Sequence, residues 1–268
     1  MKYDSFAEIP VVILCGGEGT RFGALTQDTP KPLLCLGDEP ILVHIMRHYA
    51  SYGFRKFILC IGYKGLMIKE YFLERELRQR DLRLHMSDGR QEFLGQSQHL
   101  DWEITFAETG ATTQTGARVK RVAPHIRHDR FCLTYGDGVS DINLASLMSF
   151  HLAHGKTGTL TGVHTRSQFG ELICQGDSVR AFVEKPPLKS LVNGGFFVFE
   201  QRFLETIGND SECILEKEPL ESLAERDELK VYDHAGFWQC MDTFKDYRML
   251  NALWADGNAP WRVPDGQG

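Results

Sequence analysis

The sequence contains no C-x-x-C cysteine pair, no long apolar run and no excess of basic residues. Its seven cysteines are an odd number, and Cys15, Cys60 and Cys132 stand in apolar, strand-like runs where a thiol packs as a small hydrophobic group. These features argue against a disulfide-stapled secreted protein. The formal net charge of -6 argues against a nucleic-acid-binding surface, which requires clustered lysine and arginine. No stretch approaches the length of a membrane span, so we expect no membrane partner.

The start of the sequence also lacks the features of a secretion signal. Asp4 and Glu8 precede an apolar run of only four residues, which is too short and too acidic for a signal peptide. Because the cysteine pattern suits a reducing compartment as well, we expect a cytoplasmic protein.

Two well-known phosphate-binding patterns are absent from the glycine-rich segment near the start. In the dinucleotide fingerprint G-x-G-x-x-G counted from Gly17, the third position is Phe22, and Gly23 comes one residue late. The Gly-Lys-Ser/Thr ending of a P-loop does not occur. The sequence therefore predicts neither a dinucleotide-binding fingerprint nor a P-loop.

The glycine-rich segment nevertheless indicates a phosphate ligand. The apolar run at 11–14 ends at Gly16 and Gly17, as expected for a buried parallel strand that leads into a loop. Without side chains there and at Gly19, backbone N–H groups can point into a concavity that suits phosphate oxygens. Arg21 and Lys31 add the positive charge that a polyphosphate requires. A simple turn would explain the glycines but not the neighbouring cations, so a nucleotide is the favoured ligand.

Asp137 is the clearest candidate for a metal ligand. It follows the apolar run 131–135 and stands between Gly136 and Gly138, so its carboxylate lies at a strand end with space beside it. Mg²⁺ prefers one or two carboxylates together with substrate phosphates. A turn-forming Asp-Gly is the alternative interpretation of this residue alone.

The order of apolar runs predicts an α/β fold. Strands are expected at 11–14, 57–61, 82–86, 103–107 and 131–135, with helices from Ile41 and near 66–78 and 116–122 between them. This alternation predicts a mostly parallel sheet with helices on both faces, and ligands at the strand ends. From Thr157 onward short β-like runs dominate at 159–163, 172–174, 179–184 and 195–199, followed by helices near 216–226 and 244–254. We interpret them as a smaller β-rich lobe that extends or inserts into the same sheet.

Histidine spacing suggests a zinc site only at first sight. His44 and His48 are four residues apart on a predicted helix, but the glutamate that follows the first histidine in H-E-x-x-H is replaced by Ile45. Structural histidines are the favoured interpretation.

Several motifs in fixed order resemble the sugar-1-phosphate nucleotidyltransferases, which join a nucleoside triphosphate to a sugar phosphate and release pyrophosphate. Their order and spacing, over nearly the whole chain, are most similar to the glucose-1-phosphate cytidylyltransferase branch. The motifs are G-G-E-G-T-R-F at 16–22, T-P-K-P-L-L at 29–34, Y-G-D-G at 135–138, E-K-P at 184–186, N-G-G-F-F at 193–197 and G-F-W-Q-C-M-D-T at 236–243.

The resemblance implies a three-layer Rossmann-like nucleotidyltransferase fold in one domain, 1–268, with a nucleotide-binding part at about 9–143 and an acceptor-binding part at about 144–268. It implies CTP and a phosphorylated small molecule as substrates, Mg²⁺ as cofactor, and a homo-oligomer. Asp242 would join Asp137 on the metal, and Arg21, Lys31 and Lys185 would act on the phosphates. The nucleotide would be bound by Gly16, Gly17, Gly19, Thr20, Arg21, Lys31, Thr109, Gly110, Thr115 and Gly116, and the acceptor by Tyr135, Gly170, Glu171, Glu184, Lys185, Asn193 and Gly194.

The chain departs from this branch on the acceptor side. At the position where members of that branch have a sequence like Arg-Phe-Gly-Ala, this chain has Gln168, Phe169, Gly170 and Glu171. The carboxylate of Glu171 therefore stands where a small apolar residue is expected. The alternative is therefore the same CTP chemistry on another phosphorylated acceptor. A catalytically inactive regulatory homologue is less favoured, because Arg21, Lys31, Asp137, Lys185 and Asp242 are all present.

Overall fold

The architecture is that of a computed structural model, which describes residues 6–17, 19, 25–95, 100–167 and 169–264. The helices are α1 Leu25–Asp28, α2 Ile41–Ser51, α3 Gly65–Leu73, α4 Arg75–Gln79, α5 Thr115–Arg121, α6 Leu144–His154, α7 Glu218–Glu225 and α8 Phe244–Ala255. Short 3-10 helices span Lys31–Leu33, Ala123–His125 and Gln201–Thr206. No helix in these ranges is both long and apolar enough to cross a membrane.

Sixteen strands are present in the same residues. They are β1 Val11–Leu14, β2 Cys35–Leu36, β3 Glu39–Pro40, β4 Lys56–Ile61, β5 Leu82–His85, β6 Arg90–Phe93, β7 Glu103–Glu108, β8 Arg130–Tyr135, β9 Gly138–Ser140, β10 Gly158–Val163, β11 Glu171–Gln175, β12 Ser178–Val183, β13 Val192–Asn193, β14 Phe197–Glu200, β15 Leu229–His234 and β16 Trp238–Cys240. Most of the strands predicted from apolar runs are found within one or two residues of their expected bounds, whereas the helix expected near 66–78 is two helices, because Glu74 ends α3.

Eight of these strands form the central sheet. Strands β7, β4, β1 and β8 lie side by side and run parallel. The sheet continues through β14, which is antiparallel to β8, and then through β10 and β15. Strand β15 pairs along the whole of one edge of β10. Strands β13 and β14 therefore share the other edge of β10, as one interrupted strand. Only this interrupted strand runs against the others, so the predicted mostly parallel sheet is confirmed.

Side chains alternate across the sheet and pack into two separate cores. On β1, Val11 and Ile13 face a core shared with α2 and α6, while Val12 faces a second core that contains Val119 of α5 and Leu223 of α7. Burial on both faces explains why β1 and β4 are nearly continuous apolar runs. The chain thus has helix, sheet and helix layers, as predicted.

The β-rich second half has two parts. Strands β10, β13, β14 and β15 extend the central sheet, as expected. Strands β11 and β12 instead form a separate antiparallel hairpin that projects from it. Large apolar side chains on this hairpin stay exposed, including Leu172, Ile173 and Phe182.

Candidate active site

Lys31 lies between two carboxylates at the carboxyl ends of the parallel strands. Its Nζ donates to Asp137 Oδ2 at 2.7 Å and to Asp242 Oδ1 at 2.6 Å. Only 11% of the Lys31 side chain is exposed. Burial disfavours its charge, but the two carboxylates outweigh burial and raise the pKa of the Lys31 ammonium. Two carboxylates therefore point at one position that holds a positive charge.

Pairing between β9 and β16 brings the two aspartates together across 105 residues of chain. Cys240 is opposite Gly138 in this ladder, and the Met241 amide donates to the Asp137 carbonyl at 2.8 Å. Asp242 then directly precedes Thr243, the N-cap of α8, which forms a capping box with Asp246. Both carboxylates are thus held by backbone contacts on either side of them.

The glycine loop after β1 is held in place by Arg118, a buried residue of α5. Its guanidinium donates to the Gly16 carbonyl at 3.0 Å, to the Gly110 carbonyl at 2.8 Å and to Thr109 Oγ1 at 2.7 Å. A Cβ at Gly16 would lie 2.0 Å from Arg118 Nη1, so a larger residue there would displace this guanidinium from its hydrogen bonds. Burial lowers the pKa of Arg118. One side chain therefore ties together the loops that follow β1 and β7.

The returning part of the glycine loop is supported by Thr26 of α1 and by Lys64, the N-cap of α3. Gly19 has a φ of +63°, the left-handed conformation that favours glycine, and its carbonyl accepts from Thr26 Oγ1 at 3.2 Å. Lys64 Nζ in turn donates to the Thr26 carbonyl at 3.0 Å. Two other predicted nucleotide-binding residues, Thr20 and Arg21, lie outside the described residues, as does Gln168.

Two cavities meet at the aspartate pair. The first, here called the glycine-loop cavity, has a volume of about 370 Å³ and is lined by Gly17, Gly19, Lys31, Thr115 and both aspartates. The second, here called the large cavity, has a volume of about 1010 Å³. Its lining includes Tyr135, Arg166, Asn193, Trp238 and the same two aspartates. The shared wall at Asp137 and Asp242 would bring the ligands of the two cavities into contact.

Several residues predicted to bind the acceptor are placed at the large cavity by the interrupted strand. Asn193 Nδ2 lies 3.3 Å from the Tyr135 hydroxyl oxygen, and Trp238 Nε1 donates to the Gly194 carbonyl at 2.7 Å. Gly195 has a φ of +73°, and a Cβ there would lie 2.9 Å from the Tyr135 ring. The glycines therefore let the strand turn closely around the Tyr135 ring.

The remaining predicted acceptor residues lie further out. Lys185 has its Nζ 3.4 Å from a Glu184 carboxylate oxygen, and 48% of its side chain is exposed. Glu171 begins β11 and is exposed, while Phe182 of the same hairpin packs over Gly170. None of these residues is among the described residues that line the large cavity. The cation that does line it there is Arg166, whose guanidinium reaches the Lys185 carbonyl at 3.5 Å.

The aspartate pair suits a divalent cation. The Lys31 ammonium already shows that Asp137 and Asp242 converge on one positive charge. Carboxylate oxygens are the ligands that hard cations prefer, and two of them leave coordination positions for phosphate oxygens. Burial and the two aspartates raise the pKa of the neighbouring Cys240 thiol to about 12, and a thiol is a soft donor, whereas a hard cation prefers the carboxylate oxygens.

Sequence reasoning singled out neither Glu216 nor Arg118. Glu216 accepts from the Tyr135 hydroxyl and from Thr115 Oγ1, which come from different elements of the fold. An exposed glutamate in a turn carries no pattern that would identify such a role.

The paired histidines have structural roles. His44 Nε2 lies 2.8 Å from the Leu36 carbonyl, and His48 Nε2 lies 2.9 Å from the Ile142 carbonyl. Burial lowers the pKa of His48 to about 4, so its ring stays neutral at physiological pH.

Comparisons with known proteins identify the family to which the chain belongs. The profile of the nucleotidyl transferase family matches residues 10–256. The chain is 44% identical over 252 residues to the probable glucose-1-phosphate cytidylyltransferase of Bacillus subtilis, covering 94% of this chain and 98% of that protein. It is 44% identical over 254 residues to the glucose-1-phosphate cytidylyltransferase of Salmonella typhimurium, with the same two coverages.

A solved structure shows the same fold at low sequence identity. It is that of a putative glucose-1-phosphate thymidylyltransferase from Bacillus anthracis, with a TM-score of 0.70, 15% identity and coverage of 97% of this chain and 98% of that chain. The chain therefore belongs to the nucleotidyl transferase family, as a sugar-1-phosphate nucleotidyltransferase that resembles the glucose-1-phosphate cytidylyltransferases.

Proposed function

We propose that this nucleotidyltransferase transfers CMP from CTP to α-D-glucose 1-phosphate and forms CDP-glucose and pyrophosphate. The observation that carries the proposal is the meeting of two cavities at Asp137, Asp242 and Lys31. The 44% identity to glucose-1-phosphate cytidylyltransferases supports the choice of both substrates. CTP would occupy the glycine-loop cavity, and the sugar phosphate the large cavity.

The reaction needs no general base, because the acceptor phosphate is already anionic at neutral pH. One of its oxygens forms a bond to the α-phosphorus of CTP, and the bond from that phosphorus to the bridging oxygen breaks. The electron pair leaves with pyrophosphate. Catalysis then consists of positioning and charge stabilisation. Lys31 would bind an α-phosphate oxygen, Arg21 the leaving phosphates, and Lys185 the acceptor phosphate.

We propose Mg²⁺ as the divalent cofactor, held by Asp137 and Asp242. When bound, it neutralises phosphate charge and orients both substrates. Because Lys31 contacts both aspartates, its ammonium would turn toward the nucleotide phosphates once those carboxylates hold a metal ion.

One observation favours a second class of acceptor, in which the molecule carries an anionic group besides its phosphate. Arg166 brings a permanent positive charge to the large cavity, at a distance of two residues from the departure at Gln168. An acceptor that carries an anionic group besides its phosphate would pair with this guanidinium. Glucose 1-phosphate offers no such group.

Pyrophosphate release with a panel of nucleoside triphosphates and acceptor phosphates tests the proposal. We expect CTP with glucose 1-phosphate and Mg²⁺ to give the highest kcat/KM, and EDTA to abolish turnover. Asp137→Asn should stay folded and lose activity. Turnover that survives thorough chelation would remove the metal role, and a higher kcat/KM with another acceptor would select the second class. No pyrophosphate from any pair would indicate an inactive homologue.

We further propose a homo-oligomer in the cytoplasm. An isolated two-stranded hairpin is marginally stable in water, yet β11 and β12 pair only with each other in the described residues and expose 57% of Ile173 and 63% of Phe182. A second copy of the chain would cover this surface. All seven cysteines fall in the described part of the chain and are free thiols, which suits a reducing compartment.

A further inference from the structure

Glu216 connects the walls of the two cavities. Its Oε1 accepts from the Tyr135 hydroxyl at 2.5 Å, and its Oε2 accepts from Thr115 Oγ1 at 2.8 Å. Tyr135 lines the large cavity and Thr115 lines the glycine-loop cavity. The carboxylate thus reaches both cavity walls from the turn that precedes α7.

A carboxylate can only accept hydrogen bonds, and this fixes the direction of the hydrogen bonds around it. The single hydroxyl hydrogens of Tyr135 and Thr115 both point at Glu216. The Tyr135 oxygen therefore presents only lone pairs elsewhere, and one of them accepts from Asn193 Nδ2 at 3.3 Å. Burial and the Glu216 carboxylate raise the pKa of Tyr135, so the phenol keeps its proton.

The orientation of the Asn193 amide is fixed independently. The Gly195 backbone amide, which can only donate, lies 3.0 Å from Asn193 Oδ1. Asn193 therefore directs its NH₂ group toward Tyr135, and among the described residues the second hydrogen of that group has no partner, so a ligand can accept it. As a result, the large cavity offers an acceptor at Tyr135 and a donor at Asn193.

We propose that Glu216 is a positioning residue that sets this hydrogen-bond polarity, so that the acceptor is selected as a polyol with neighbouring hydroxyls. One hydroxyl donates to the Tyr135 oxygen, and another accepts from Asn193. The inference rests on the proposed function, because it assigns the large cavity to the acceptor. The link to Thr115 extends the same carboxylate to the nucleotide wall.

The variant Glu216→Gln tests the direction of the hydrogen bonds at nearly constant size. A glutamine has one accepting oxygen and one NH₂ group, so either Tyr135 or Thr115 must reverse its hydroxyl. Because Glu216 is exposed, the fold should tolerate the change. We expect the acceptor KM to rise about tenfold, which corresponds to the net free energy of one hydrogen bond. We expect kcat to change much less. Glu218→Gln, on the exposed start of α7, is the matched control and should leave the KM unchanged.

A double-mutant cycle with Tyr135→Phe distinguishes positioning from a purely structural role. If Glu216 acts through the Tyr135 hydroxyl, Tyr135→Phe should raise the acceptor KM similarly, and Glu216→Gln should add little to it. Thr115→Ser keeps a hydroxyl donor and should behave like the wild type. An unchanged acceptor KM in Tyr135→Phe, or effects that multiply in the double variant, would overturn the inference while the proposed function stands. If the wild type releases no pyrophosphate with any acceptor, the proposed function fails and the inference falls with it.

Discussion

The two lysines proposed to handle phosphate lie in opposite environments. Lys31 is mostly buried and bonded to two carboxylates, whereas Lys185 is about half exposed beside one carboxylate. The same contrast holds for the two arginines. Arg118 is 4% exposed and donates to four backbone or hydroxyl oxygens, while Arg166 is exposed and its guanidinium has one long contact, to a carbonyl, within the described residues. The proposed nucleotide side is therefore preorganised, and we infer that the acceptor side is completed by its ligand.

Removing Lys31 should have the largest effect, because its charge is already fixed at the proposed transfer site. We expect Lys31→Met to lower kcat on the order of 10² to 10³, by analogy with the loss of one preorganised donor at a developing charge. Steady-state pyrophosphate release, with calorimetric titration of CTP, measures the loss and assigns it to binding or chemistry.

The fold of Lys31→Met has to be checked separately. The variant removes the ammonium that lies between Asp137 and Asp242, and the stronger repulsion between the two carboxylates should lower the free energy of unfolding. Added Mg²⁺ should restore part of that stability if the pair binds metal. Normal turnover by a folded Lys31→Met protein would contradict the assignment of Lys31 to the phosphates.

Removing Lys185 should have a smaller effect, confined to the acceptor. A charge-assisted hydrogen bond formed only with bound ligand predicts a rise of about ten- to a hundredfold in the acceptor KM for Lys185→Ala. CTP affinity by calorimetry should stay near that of the wild type. Lys189→Ala, in the same segment, serves as the control. If Lys185→Ala abolishes CTP binding in a folded protein while Lys31→Met does not, the two roles are reversed.

The contrast also explains how much of the site could be predicted from the sequence. Gly16, Gly17 and Asp137 directly follow buried parallel strands, and the strand ends of an α/β sheet are where ligands bind. Local sequence therefore placed them correctly at one edge of the sheet. The meeting of Asp137 with Asp242 depends on the pairing of β9 with β16, which no local pattern reveals, and it was expected only from the family resemblance.

Long-range side-chain contacts account for what the sequence did not reveal. Arg118 holds Gly16 across 102 residues, and Glu216 meets Tyr135 across 81. Neither residue type is unusual in its local segment, since arginines end many helices and glutamates fill many turns. The projecting β11–β12 hairpin shows the converse: its strands were predicted from local alternation, but its departure from the central sheet was not.

The smallest expected effect concerns Arg166 and separates the two acceptor classes. As an exposed charge at the cavity wall, Arg166 should contribute little to the binding of glucose 1-phosphate. Arg166→Gln should therefore raise the KM for glucose 1-phosphate only about two- to fivefold. For an acceptor with a second anionic group, the same substitution should raise the acceptor KM by a larger factor, because a bidentate ion pair with that group is lost. Arg226→Gln, at the exposed end of α7 where Arg226 contacts Ser222, is the matched control. Glu171→Gln on the β11–β12 hairpin should leave the ratio of kcat/KM values across acceptors unchanged, because Glu171 does not line the large cavity. A shifted ratio in Glu171→Gln with none in Arg166→Gln would place acceptor selection on the hairpin instead of at Arg166.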